Sequence, residues 1–303
     1  MAKNAVKHWM AAARLRTLPL AWSGIILGCL LAAANHQGSW TVFFLCILTA
    51  TLFQVLSNFA NDLGDGIKGT DTYRAGEARM VGSGVISAAE MKRAVVVTSI
   101  LSFVSAALLI AYTYPRLLDN VPLILGLLAL ASVIAALTYT LGKTPYGYLR
   151  LGELMVFTFF GLVAVGGSYT VTVGQLDPHV LWAGSAIGLL SAAVLNINNM
   201  RDIKNDLSSG KKTIANALGF RYARVYHYIL IILALDCVFV YNWLSDSGFT
   251  RNLFLLAIPP LLLHMLKVSK LNRPEDADPF LKELALTTLA LAVLLGLGHY
   301  WGT

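Results

Sequence analysis

The 303-residue chain is 57% hydrophobic and only 13% charged, with a mean hydropathy of +0.67 and a formal net charge of +7. Soluble domains carry about 25% charged residues, so the apolar excess excludes a water-soluble globule and implies an integral membrane protein. Three cysteines, Cys29, Cys46 and Cys237, all lie in apolar runs, which excludes a disulfide framework.

Nine stretches reach the roughly 20 mostly apolar residues that cross hydrocarbon: about 18–35, 41–61, 93–114, 121–141, 153–173, 179–200, 225–244, 252–268 and 282–301. The expected fold is therefore all-α, a polytopic bundle of nine transmembrane helices forming one domain over 1–303. Only the connections 62–92, 201–224 and 269–281 are long. With the amino terminus inside, every Lys and Arg of the 23 except Arg116 and Arg251 falls on the inner side. This positive-inside pattern predicts a cell-membrane protein with a cytoplasmic amino terminus. It also explains the net charge without a nucleic-acid partner. Ala32 to Ala34 has the look of a cleavage site, but the first apolar run is long and carries Pro19 and Trp22, so this span is expected to stay.

The second apolar run ends in carboxylates: Asn58, Asn61, Asp62, Asp65 and Asp71 follow one another from 58 to 71. The sixth run ends similarly, with Asn196, Asn198, Asn199, Asp202 and Asp206. If the helices continue, Asn61 stacks with Asp65 and Asn198 with Asp202 at i, i+4. The four-span offset between the two motifs suggests an internal duplication and puts both on the cytoplasmic side.

An aspartate at mid-bilayer costs about 2.5–3.5 kcal/mol, so these groups are expected to line a hydrated pocket at the inner edge of the membrane. Solvated helix ends are the plain alternative. Against it stands the density of carboxylates and carboxamides, flanked by Lys68, Arg79, Lys204, Lys211 and Lys212. Hard oxygen donors of this kind suit Mg2+, which takes one or two carboxylates and bridges to phosphate oxygens. A diphosphate at the mouth of an apolar cavity points to a lipid diphosphate, with the metal stabilising the leaving group. A cation-coupled transporter is the reading from another class, but it places such groups near mid-membrane on broken helices.

These motifs resemble the two aspartate motifs of the UbiA superfamily of intramembrane prenyltransferases. Further stretches resemble its 1,4-dihydroxy-2-naphthoate branch: Arg16 to Leu20, Ser57 to Asp65, Gly69 to Asp71, Gly84 to Ser87 with Glu90 to Arg93, Thr138 to Thr140 with Pro145 to Tyr148, and Leu195 to Lys211. The resemblance implies prenyl transfer from polyprenyl diphosphate to dihydroxynaphthoate, with loss of diphosphate and CO2, giving a demethylmenaquinone in its reduced, quinol form; another aromatic acceptor such as 4-hydroxybenzoate is the alternative within the same class. It implies Mg2+ on Asn61, Asp65, Asp202 and Asp206, with Asp62, Asp71 and Asn198 beside them. Lys143, Arg79, Lys211, Lys68 and Arg201 are the implied diphosphate contacts. Asp65, Asp202, Lys143 and Tyr139 would carry the chemistry, and Asn58, Tyr139 and Tyr148 would face the acceptor.

Other patterns carry less. Gly210 to Thr213 echoes a P-loop ending without its strand or its first glycine. The six histidines show no paired metal spacing, and the tryptophans near span ends (Trp9, Trp40, Trp182, Trp243, Trp301) read as interface anchors. Gly161 to Gly167 is expected to serve close helix packing.

Overall fold

The computed structural model describes residues 2–69, 79–116, 119–245 and 248–302, with side chains from Val6 onward. Asp71 lies outside the described residues. Among those described, nine helices are long and apolar enough to cross a membrane. They are α1 (Val6–Ala34), α2 (Trp40–Lys68), α3 (Ala88–Thr113), α4 (Asn120–Thr138), α5 (Gly152–Val173), α6 (Val180–Arg201), α7 (Ile214–Leu244), α8 (Phe249–Ser269) and α9 (Pro274–Tyr300).

Several helices outrun the apolar stretches that announce them. Ser39 accepts from the Val42 amide to cap α2, which then continues past 61 to Lys68 and stops at Gly69, in the left-handed region at φ 68°. Asn58, Asn61, Asp62 and Asp65 of the first acidic motif thus ride on a helix, not on a loop. A capping box between Ser87 and Glu90 starts α3 five residues before the apolar run at 93. Likewise α7 begins at Ile214, with a break at Gly219, and α9 at Pro274. Hydropathy counts only the part of a helix inside hydrocarbon, whereas caps and turn residues set where the backbone stops.

α6 is the most buried span and α4 the least. The former packs against α5, α7 and α9, and α1 lies along α9 to close the bundle. Ile187, Leu190 and Ile197 of α6 are fully buried with Ile231, Leu291 and Leu295. α1 is interrupted: Arg14 is left-handed at φ 48°, and Leu15–Thr17 forms a 3-10 turn. Thr17 anchors this interruption to α2, its Oγ1 accepting from Gln54 Nε2 at 2.7 Å and Asn58 Nδ2 at 3.1 Å.

Candidate functional site

The last turns of α2 hold the first motif through partners distant in sequence. Asp65 Oδ1 accepts from the Tyr148 hydroxyl at 3.0 Å, and its Oδ2 from Arg79 Nη2 at 3.2 Å. Both Asp65 and Arg79 are buried. Asp62 turns elsewhere, its two oxygens accepting the backbone N–H groups of Met80 and Val81 at 3.1 and 3.0 Å. Gly64 admits Thr140, whose Oγ1 would lie 2.6 Å from a Cβ at 64; that hydroxyl donates to Ala60 O and approaches Asn61 Oδ1 at 3.3 Å.

The second motif is held largely from within its own segment. α6 ends at Arg201, Asp202 forms the corner, and the short helix Ile203–Ser208 carries Asp206. Arg201 grips both oxygens of Asp202, Nε at 2.8 Å and Nη2 at 2.9 Å. Its Nη2 also donates to Asn198 Oδ1 at 2.8 Å, and its Nη1 to Asp278. Lys211 Nζ stands 4.0 Å from Asp206. Two of the three motif asparagines serve packing, Asn196 donating to Ala223 O and Asn199 to Glu153, each at 2.9 Å. Tyr148 links the two motifs, with Lys68 Nζ 4.4 Å and Lys211 Nζ 5.7 Å from its ring centroid.

One cavity of about 430 Å³ joins the two motifs. Asn61, Asp65, Arg79, Asn198 and Lys211 line its polar end, together with Arg14, Arg16 and Lys282. Leu20, Ile25, Leu109, Leu125 and Val171 line the apolar remainder. Five bases against the single carboxylate of Asp65 make the lining net cationic, which favours an anionic ligand. Among the described residues no three acidic, imidazole or thiol groups converge as a metal cage. Asp65, Asp202 and Asp206 instead each face a base.

Measured against the sequence reading, Asn58, Asn61, Asp65, Arg79, Tyr139, Asn198 and Lys211 line the cavity. Asp202 and Asp206 are buried beside it without lining it. Five of the predicted residues have other positions or partners. Lys143 is exposed and outside the lining. Arg201 is committed to carboxylates and Asn198. Tyr148 positions Asp65, and Tyr146 lines the cavity in its place. Burial raises the Tyr146 phenol above its ordinary pKa, and its hydroxyl donates to Ala135 O at 2.8 Å. Asp62 is occupied by amides. Lys68 donates to Thr140 O at 2.8 Å, outside the lining. Sequence reading gave no site role to Arg14, Arg16 and Lys282, which register there as positive-inside charge and, for Arg16, as the start of the Arg16 to Leu20 stretch. It also missed the buried pairing of His227 with His264, Nε2 to Nε2 at 3.1 Å, because 37 positions separate them.

The bundle and its charged, apolar-backed cavity define a membrane protein shaped for an amphiphile with an anionic head. The chain belongs to the UbiA prenyltransferase family, which matches residues 21–290. It is 42% identical over 302 residues to the 1,4-dihydroxy-2-naphthoate octaprenyltransferase of Haemophilus influenzae, covering 98% of this chain and 97% of the relative. The Escherichia coli protein of the same name is 41% identical, over 96% of this chain and 94% of its own. In fold the chain is similar to a UbiA homolog from Aeropyrum pernix, at a TM-score of 0.67 and 21% identity, over 94% of this chain and 95% of that one. A UbiA homolog from Archaeoglobus fulgidus, solved with GPP and Mg2+, gives 0.61 at 17% identity, over 93% of this chain and 99% of that one.

Proposed function

We propose that the chain transfers a polyprenyl group from polyprenyl diphosphate to 1,4-dihydroxy-2-naphthoate, releasing diphosphate and CO2, as a step of menaquinone biosynthesis. The observation that carries this reading is the single cavity in which Asn61, Asp65, Arg79, Asn198 and Lys211 meet an apolar lining. In the cell membrane the polar end faces the cytoplasm, where the positive-inside charges lie.

Arg79 and Lys211 receive the diphosphate, neutralising the charge it gains as the allylic C–O bond breaks and the electron pair leaves with oxygen. Tyr139, on the cavity wall, presents its ring to the allylic carbon. The ring carbon bearing the carboxylate forms the new C–C bond. Its bond to the carboxylate then breaks, the electron pair restores the aromatic ring, and CO2 departs. Tyr148 and Arg79 fix both oxygens of Asp65, so the helix end enters the reaction already oriented.

Mg2+, when bound, adds positive charge at the departing diphosphate. The oxygen donors that fit it are Asn61, Asp65, Asn198, Asp202 and Asp206. Their dispersal suits an ion that takes one or two carboxylates and completes its shell with phosphate and water. Asp62 differs from Asp65 on the same helix end in that it holds two backbone amides and does not line the cavity.

Purified protein in detergent, given dihydroxynaphthoate, a prenyl diphosphate and Mg2+, is expected to yield the decarboxylated prenyl adduct by mass spectrometry. Chelation should stop the reaction. Product from 4-hydroxybenzoate but none from the naphthoate would replace the acceptor, and no prenyl transfer to either would sink the reading.

A further inference from the structure

α5 lines the cavity along most of its length. Met155, Phe159, Val163, Gly167 and Val171 all face it, each four residues after the last, and the next residue along lines it too at the first four steps. A uniform α-helix does not permit this. At 3.6 residues per turn, 16 residues accumulate a drift of about 160°, which would turn position 171 away from the space that position 155 faces. The correction lies at Phe157–Val163, which are π-helical. Its wider i to i+5 turns absorb much of the drift and keep one row on the cavity from end to end.

The back of this segment is fixed by glycines. A Cβ at Gly161 would come within 2.4 Å of Gly184 O, and one at Gly188 within 2.5 Å of Phe157 O. These positions follow the close-packing expectation. Gly167 does not. It is helical, without positive φ, and a Cβ there would meet nothing within 4 Å. Glycine in a helix interior sacrifices stability relative to alanine. Neither packing nor backbone conformation requires it at 167, so what its missing side chain preserves is room in the cavity.

We propose that Gly167 is a specificity-determining residue, the gap through which the donor's prenyl tail passes along the α5 wall. The inference rests on the prenyl-transfer reading above. Met155 is three residues from Gly152, whose Cβ position is 3.4 Å from the Tyr139 hydroxyl, so this end of the row is the reacting end. Gly167 lies 12 residues on, about 18 Å along the helix at the α-helical 1.5 Å per residue and a few ångström less across the wider π turns. A prenyl unit adds four backbone C–C bonds, about 5 Å when extended at ordinary bond lengths. Tails of up to about three units therefore end before Gly167, and those of four or more pass it.

The test compares kcat/KM for geranyl (C10) and geranylgeranyl (C20) diphosphate in the full-length protein in detergent. Gly167→Leu is expected to lower the C20-to-C10 ratio at least tenfold relative to the unsubstituted protein, and Gly167→Ala two- to threefold. Gly166→Ala, whose Cβ would instead approach Leu181 at 3.4 Å, should leave the ratio within twofold. If Gly167→Leu does not fold, the alanine variant decides by the same ratio. An unmoved ratio, or equal losses on both donors, overturns the assignment. Absence of transfer by the unsubstituted protein is a different outcome, since it removes the reaction and not the path of the tail.

Discussion

The two acidic motifs read alike in sequence, yet the structure holds them in different ways. Asp65 depends on Tyr148 and Arg79, residues 83 and 14 positions away. Asp202 depends on its neighbour Arg201, and Asp206 on Lys211 five positions later. The first motif is assembled by the docking of two connections, whereas the second carries its counter-charges in the same turn of chain. Similar helix-end carboxylates can therefore have different vulnerabilities: distant substitutions should disturb the first, local ones the second.

The largest effects should come where the comparison predicts equality. Asp65→Asn and Asp202→Asn each remove a negative charge from the reacting end, and prenyl transfer is expected to fall about a hundredfold or more in both, as when a preorganised electrostatic group is lost. The check is initial rate against Mg2+ concentration, alongside a melting curve showing that each variant folds. If one variant keeps full rate, the two ends are not partners in one site.

Asp62→Ala should separate holding from reacting. The alanine leaves the Met80 and Val81 amides without the acceptor they use in the folded protein, at a cost of about 1–3 kcal/mol for each amide left buried without a substitute. The expected signature is a lower melting temperature in detergent, with a drop in rate that follows the displacement of Arg79. Among the described residues the bases facing Asp202 and Asp206, Arg201 and Lys211, both lie within 198–211, so substitutions outside that segment should disturb the second motif less.

How far the site was legible in the sequence follows from the same contrast. The nine spans, both motifs and the i, i+4 pairing of Asn61 with Asp65 were readable because they depend on local spacing and hydropathy. Arg201 was legible as a basic residue of the second motif, but its commitment to Asp202 was not, because charge in a sequence does not reveal its partner. Tyr148 was placed in the site but given the acceptor instead of Asp65, because the fold of the 139–151 connection decides which way it points. The turn of Phe157–Val163 left no hydropathy signal, since a π-turn changes phase without changing composition.

Tyr148→Phe tests the long-range link alone. It keeps the ring between Lys68 and Lys211 and deletes only the hydroxyl that donates to Asp65. A hydrogen bond to a charged acceptor contributes about 1.5–3 kcal/mol, so roughly a tenfold loss of kcat/KM or more is expected. Pre-steady-state measurements with excess Mg2+ would show whether the loss lies in metal affinity or in the transfer step. A rate within twofold of the unsubstituted protein would mean that the Tyr148 hydroxyl does not set the Asp65 orientation.

Asp278→Asn should have the smallest effect, and the reason follows from burial. Asp278 accepts from Arg201 and stands 3.9 Å from Arg16, but its side chain is 36% exposed while that of Arg201 is 2% exposed. Water already screens the outer partner, and Asp202 still neutralises the buried guanidinium through two hydrogen bonds. Such half-exposed pairs are worth about 0–1 kcal/mol, so the rate should change by no more than about fivefold. A much larger loss, with the fold intact, would mean that Asp278 orients Arg201 against Asp202. The second motif would then need support from the last helix, and its independence from the rest of the chain would be lost.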